Sequence, residues 1–272
     1  MLNIDKLKRT GAVALPSAFT IGNMACGFFA IMRAIEKNFS AAGWLIIGAM
    51  VMDSLDGRVA RMVKGESSFG VEIDSLADFL SFGVAPAITM YLFHLKDYEW
   101  GGPVAFIYAL CGCLRLARFN VMSHNKQGSK QSFTGLPIPG AAGILASFLI
   151  VYSLLETAPE GRSMQPLLNQ MSPLYNIIPF LMLGLGFLMV STVPYAAFKQ
   201  GNLFRPKTVG GMIFIVLLGY STIKYPRETI FLIFALYVLS GIIAWIFKSI
   251  KMLAFGKPQP PEKQGPDTVR PV

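Results

Sequence analysis

Charge is scarce in this chain. Only 14% of its 272 residues are Asp, Glu, Lys or Arg, against 53% hydrophobic, and the mean hydropathy is +0.52. That balance excludes an ordinary soluble domain and implies a polytopic membrane protein. Cysteine is nearly absent. Cys26, Cys111 and Cys113 all fall inside apolar stretches, which excludes a disulfide framework and leaves them as small packing residues. The two histidines, His94 and His124, stand singly near the ends of predicted helices. Without spaced partners they read as solvated interfacial side chains, not metal ligands.

What is present in quantity is apolar length. Eight stretches are long enough to cross a bilayer, near 16–35, 40–57, 71–93, 102–122, 136–155, 173–198, 208–223 and 228–250. The expected fold is therefore an all-α, polytopic helical bundle of about eight transmembrane helices. The net charge of +9 invites a nucleic-acid reading, but its distribution argues against one. With the N-terminus in the cytoplasm, 18 of the 24 Lys and Arg lie on the cytoplasmic side and six on the other or at its edge. This bias places both termini in the cytoplasm and makes anionic headgroups and phosphates the natural partners, with no nucleic acid expected.

Residues 1–13 are basic and form either a short interfacial amphipathic helix or a flexible end; the apolar run that follows is long for a cleavable signal peptide and counts as the first span. Thr20 and Asn23 interrupt that run. A mid-span asparagine is costly without a partner, so Asn23 is expected to face the bundle interior or a polar cavity. Residues 133–143, FTGLPIPGAAG, predict irregular backbone at the start of the fifth span, and Gly83 with Pro86 predicts a kink in the third. The tail 256–272 is Pro-rich, polar and expected to be disordered.

Six of the fifteen acidic residues fall within residues 53–78, DSLDGRVARMVKGESSFGVEIDSLAD. Asp53 and Asp56 are spaced i,i+3, and Asp74 and Asp78 are spaced i,i+4, so each pair sits on one face of its own helix. Gly57 and Ala60 join the first face with Arg61 at its edge, and Ser81 continues the second. A short link makes the two helices antiparallel neighbours, which brings the pairs together. Four carboxylates at a membrane boundary require a cation among them, and nearby basic residues are few. An all-oxygen site favours Mg²⁺, Mn²⁺ or Ca²⁺, and one or two such ions beside Gly57, Ala60 and Arg61 make a place for a diphosphate.

The spacing D-x2-DG-x2-AR-x8-G-x3-D-x3-D over residues 53–78 resembles the signature of the CDP-alcohol phosphotransferase family. The resemblance implies a six-helix core over residues 14–200, often dimeric, with residues 201–255 as two additional transmembrane helices. It implies that Asp53, Asp56, Asp74 and Asp78 hold two divalent metals, Mg²⁺ or Mn²⁺. Asp56, Gly57, Ala60, Arg61 and Gly70 would lie against the CDP moiety, and Asp78 would also be the catalytic base. The site would face the cytoplasm from the cell membrane.

The surroundings PSAFTIGNMACGF, EIDSLADFLSFGVAPA, RLARFN and FTGLPIPGAAG are similar to the branch that acts on CDP-diacylglycerol and L-serine. That similarity implies donor and serine pockets shaped by Asn23, Ser81, Arg115, Arg118, Thr134 and Gly135. Other acceptors, glycerol 3-phosphate or an inositol phosphate, would draw on Arg115, Arg118, Lys126 and Lys130. The reading from a different class is a cation or proton transporter. Transport would favour carboxylates spread through the membrane depth and an internal repeat, and the sequence has neither.

Overall fold

The computed structural model describes residues 4–63, 68–124, 135–156, 176–193, 195 and 219–255, and all regular structure among them is helical. In chain order the helices are α1 (Ile4–Ile35), α2 (Phe39–Val63), α3 (Ser68–Asp78), a π-helical turn (Phe79–Val84), α4 (Ala85–Phe93), α5 (Gly101–His124), α6 (Ile138–Glu156), α7 (Ile178–Val190) and α8 (Pro226–Phe255). A short helical stretch, 219–224, precedes α8. Five helical segments are long and apolar enough to cross a membrane: Ala18–Ile35, Phe39–Val59, Phe69–Phe93, Gly101–Met122 and Pro226–Ile246. These correspond to the first four and the last of the predicted spans. The fifth and sixth appear as shorter apolar helices, Ile138–Ser153 and Ile178–Val190. Of the seventh, 208–223, only the last residues are described, and the tail lies outside the described residues.

Large apolar side chains point outward, among them Phe28, Phe29, Phe106, Phe180, Phe187 and Leu236. The buried positions of α1, α2 and α6 are instead rich in alanine, including Ala30, Ala34, Ala42, Ala49, Ala141, Ala142 and Ala146. This distribution suits a bundle in lipid, where tails solvate Phe and Leu as well as a core does and small residues let backbones approach. α1 lies along α2 and also packs on α3, the π turn and α4. α2 packs on α6, and α8 covers the outer side of α6.

The α1–α2 hairpin is closed by three residues. The N–H of Lys37 donates to the Ala34 carbonyl (3.0 Å) and that of Asn38 to the Arg33 carbonyl (2.9 Å), which satisfies the end of α1. The Asn38 side chain then accepts the Ala41 N–H at 3.1 Å and caps α2. Lys37 carries a φ of 60°, at the position that glycine ordinarily fills.

The kink expected from Gly83 and Pro86 takes the form of the π turn. The Ala85 N–H reaches back five residues to the Leu80 carbonyl. Pro86 has no N–H to offer the Phe82 carbonyl, its partner in an unbroken α-helix. The hydroxyl of Tyr108, fully buried on α5, donates to that carbonyl at 3.3 Å.

Two expectations need correction. Residues 133–143 are not irregular throughout: α6 begins at Ile138, because Pro139 occupies its first turn, where no intrahelical N–H is required. His94 is not a lone solvated side chain, since its Nε2 lies 3.1 Å from the Tyr98 hydroxyl, which donates to Asn176 at 2.7 Å.

Tyr108→Phe keeps the packing and deletes the donor to Phe82. It is expected to cost about 1–2 kcal/mol, read as a lower thermal midpoint in detergent.

Candidate metal and substrate site

Three of the four motif aspartates converge, from neighbouring spans. Asp53 from α2 and Asp74 and Asp78 from α3 each present a carboxylate oxygen, all within 4.8 Å of one another, and all three residues are half-buried. The third span lies beside α2 as the short link predicts, but the packing is made beyond the aspartates and not by α3. α2 packs on the π turn and α4, while α1 packs on both α2 and α3. The stretches that carry the carboxylates therefore face each other with little direct packing between them, and α1 braces both.

That brace is specific. Thr20 and Asn23 stand one turn apart on α1. The Thr20 hydroxyl donates to the Asp56 carboxylate, which is buried. Asn23 is fully buried, as its mid-span position predicted, and its Nδ2 donates to Asp78 Oδ1 at 3.0 Å. The buried Ser81 hydroxyl donates to the Asn23 carbonyl at 2.9 Å and ties α1 to the π turn. The contact is close because residue 27 is glycine: a Cβ there would lie 2.7 Å from Ser81 Cα. Asp56 thus hangs from Thr20 beside Asp53 and Asp74, its electrostatic neighbours, and outside the set of oxygens that meet within 4.8 Å.

Arg115 and Arg118 project from α5 toward the same end of the bundle. Arg115 has Asp78 of α3 and Tyr237 of α8 as electrostatic neighbours, and its Nε is buried with no hydrogen-bond partner. Arg118 donates to the carbonyls of Val190 (3.0 Å) and Ser191 (3.4 Å), where α7 ends. Gly135 belongs to this latch. Its φ is +87°, its N–H donates to the Val193 carbonyl at 2.8 Å, and a Cβ on it would lie 2.5 Å from the Met189 carbonyl. Only glycine combines that dihedral with that approach. Nearby, the Asn120 amide donates to Ser75 at 2.9 Å and joins α5 to α3.

Of the remaining predicted residues, Gly57 is half-buried on α2 and Gly70 is exposed near the start of α3. The side chains of Ala60 and Arg61, and all of Thr134, lie outside the described residues. Sequence reasoning did not assign Thr20, Ser75, Asn120 or Tyr237. The i,i+3 spacing of Thr20 and Asn23 in an apolar run was a usable signal for the first. The others depend on contacts across the bundle.

The ion pair between Arg33 and Glu36 is the one found among the described residues, and it lies at the other end of α1. No described Lys or Arg forms such a pair with Asp53, Asp74 or Asp78. Three carboxylates so gathered, with the Asn23 Oδ1 beside them buried and unpaired, form an oxygen donor set that suits a hard divalent cation.

An apolar helical bundle with oxygen donors gathered between its spans is a membrane protein built around an acidic centre. Residues 13–178 match the profile of the CDP-alcohol phosphatidyltransferase family, and the chain belongs to that family. It is 33% identical to a CDP-diacylglycerol–serine O-phosphatidyltransferase of Helicobacter pylori, over 88% of this chain and 93% of the relative. An archaetidylserine synthase of Methanothermobacter thermautotrophicus is 36% identical over 72% of this chain and 74% of its own. A Bacillus subtilis protein with the same name as the Helicobacter relative is 33% identical over 68% of this chain and 92% of its own.

Thr20→Val leaves a buried carboxylate without its donor and is expected to lower stability by about 1–2 kcal/mol, while Thr20→Ser stays near wild type. Thermal midpoints of the two variants in the same detergent check this.

Proposed function

We propose that this protein transfers the phosphatidyl group of CDP-diacylglycerol to the hydroxyl of L-serine, giving phosphatidylserine and CMP. The observation that carries the reading is the meeting of Asp53, Asp74 and Asp78 within 4.8 Å beside Arg115, whose Nε is buried and unpaired. The names of the Helicobacter and Bacillus relatives support the same acceptor.

Asp53, Asp56, Asp74 and Asp78 would hold one or two divalent ions, Mg²⁺ or Mn²⁺. When bound, the metal supplies positive charge against the diphosphate and against the charge that develops at phosphorus. Gly57 and Ala60 leave α2 without bulk on the side of the carboxylates, and with Asp56, Arg61 and Gly70 they line the CDP moiety. Asp78 takes the proton of the serine hydroxyl, with the Asn23 amide fixing the orientation of its carboxylate. The serine oxygen forms a bond to the diacylglycerol-linked phosphorus, and the bond from that phosphorus to the bridging oxygen of CMP breaks. Arg115 receives the serine carboxylate, a match of guanidinium and carboxylate that a neutral alcohol would not use. Arg118, Ser81, Thr134 and Gly135 shape the surrounding wall.

In this reading the site faces the cytoplasm from the cell membrane, the chain has eight spans with both termini cytoplasmic, and it works as a homodimer. The core is 14–200, with 201–255 as an addition.

An acceptor panel with purified protein, Mn²⁺ or Mg²⁺ and labelled CDP-diacylglycerol tests the acceptor. CMP release and labelled phosphatidylserine should require serine, and equal product with glycerol 3-phosphate would refute the assignment. Chelation of divalent ions is expected to stop turnover and readdition to restore it. Asp78→Asn is expected to abolish turnover with the fold retained; a variant that keeps near-wild-type kcat would remove both the base and the ligand role.

A further inference from the structure

At the far end of α1 and α2 from the aspartates, a cavity of about 420 Å³ is lined by Lys37, Ser40, Tyr152, Ser153 and Arg227, with Glu36, Asn38 and Phe39 completing it. Three membrane-spanning segments end or begin beside it, at Ile35, Phe39 and Pro226, so it lies at headgroup level. Asp53 is fourteen residues along α2 from Phe39, about 21 Å at 1.5 Å per residue, so the cavity and the carboxylates belong to opposite leaflets.

Its charge is unbalanced. Glu36 is bound to Arg33 at 2.6 Å, whereas neither Lys37 nor Arg227 forms an ion pair among the described residues. Lys37 holds a left-handed conformation, with φ 60°, that disfavours any side chain bearing a Cβ. Glycine would close the same hairpin without strain, so the hairpin does not account for a lysine at this position. Residues held in such conformations cluster at ligand sites. Beneath the cavity, Phe39 and Tyr152 pack edge-on against Phe93, with ring centroids 5.2 and 4.8 Å away, which gives the polar cavity an aromatic floor. Two cations and the Ser40 hydroxyl above aromatic rings, at the end of apolar spans, match a phosphate that carries acyl chains better than one free in water.

We propose that this cavity binds the phosphate of an anionic phospholipid from the leaflet opposite the carboxylates, with Lys37 and Arg227 as its charge partners. The test compares thermal unfolding of the full-length protein in detergent micelles containing phosphatidylglycerol, phosphatidylcholine or inorganic phosphate. Phosphatidylglycerol should raise the midpoint of the wild type more than phosphatidylcholine does. That rise should be at least halved in Lys37→Gly and in Arg227→Gln. Without lipid, Lys37→Gly should be at least as stable as wild type, because glycine suits the hairpin; this separates loss of binding from misfolding. An equal rise in wild type and both variants overturns the proposal, as does an equal effect of phosphatidylcholine. A rise produced by inorganic phosphate alone and abolished by both variants overturns the lipid assignment.

Discussion

Carboxylates in an apolar bundle are stable only when each is held by a donor or balanced by a cation, and the first three spans are packed to meet that demand. Asp56 takes the Thr20 hydroxyl and Asp78 takes the Asn23 amide. Both donors come from α1, which carries no carboxylate of the motif. α1 thereby fixes how α2 and α3 stand toward each other, and glycine at residue 27 lets it come close enough to do so. The carboxylates of Asp53, Asp74 and Asp78 remain turned toward one another, so the packing leaves the centre acidic. A bundle optimised for stability alone would have filled that space with apolar side chains.

The part of this arrangement legible in sequence was the local part. Asp53 with Asp56, and Asp74 with Asp78, share helix faces because a helix fixes the direction of residues three and four apart. The chemistry of four carboxylates with small residues beside them follows from the same spacing. Long apolar runs gave five of the spans within a few residues. The bonds that hold the site were not legible, because they join residues far apart in the chain: Thr20 to Asp56, Asn23 to Asp78, Tyr108 to Phe82 and Arg118 to Val190. The short link made the two helices neighbours without fixing which of their turns touch. A short loop makes helices antiparallel, yet it does not decide whether a third helix packs on both.

The C-terminal helix enters the site from outside the segment that matches the family. α8 begins after residue 178, where that match ends, and its Tyr237 neighbours Arg115. It reaches that position across α6, where Gly140 leaves room for the Tyr237 ring. Arg118 and Gly135 act on the other side by fixing the end of α7. The basic wall of the site is therefore assembled from α5, α7 and α8, whereas the acidic wall belongs to α2 and α3 and is braced by α1. The two walls meet at Asp78 and Arg115.

The π turn at Phe79–Val84 makes the third span a matter of counting. Its wider winding sets the rotational phase between the half that carries Asp74 and Asp78 and the half that buries Ala87 and Met90. Winding the same residues as an unbroken α-helix would barely change the length of the span and would leave its hydropathy untouched. It would, however, turn one half against the other by about 100° and swing the carboxylates toward hydrocarbon. A change of winding that a hydropathy plot does not register is therefore a frameshift in three dimensions.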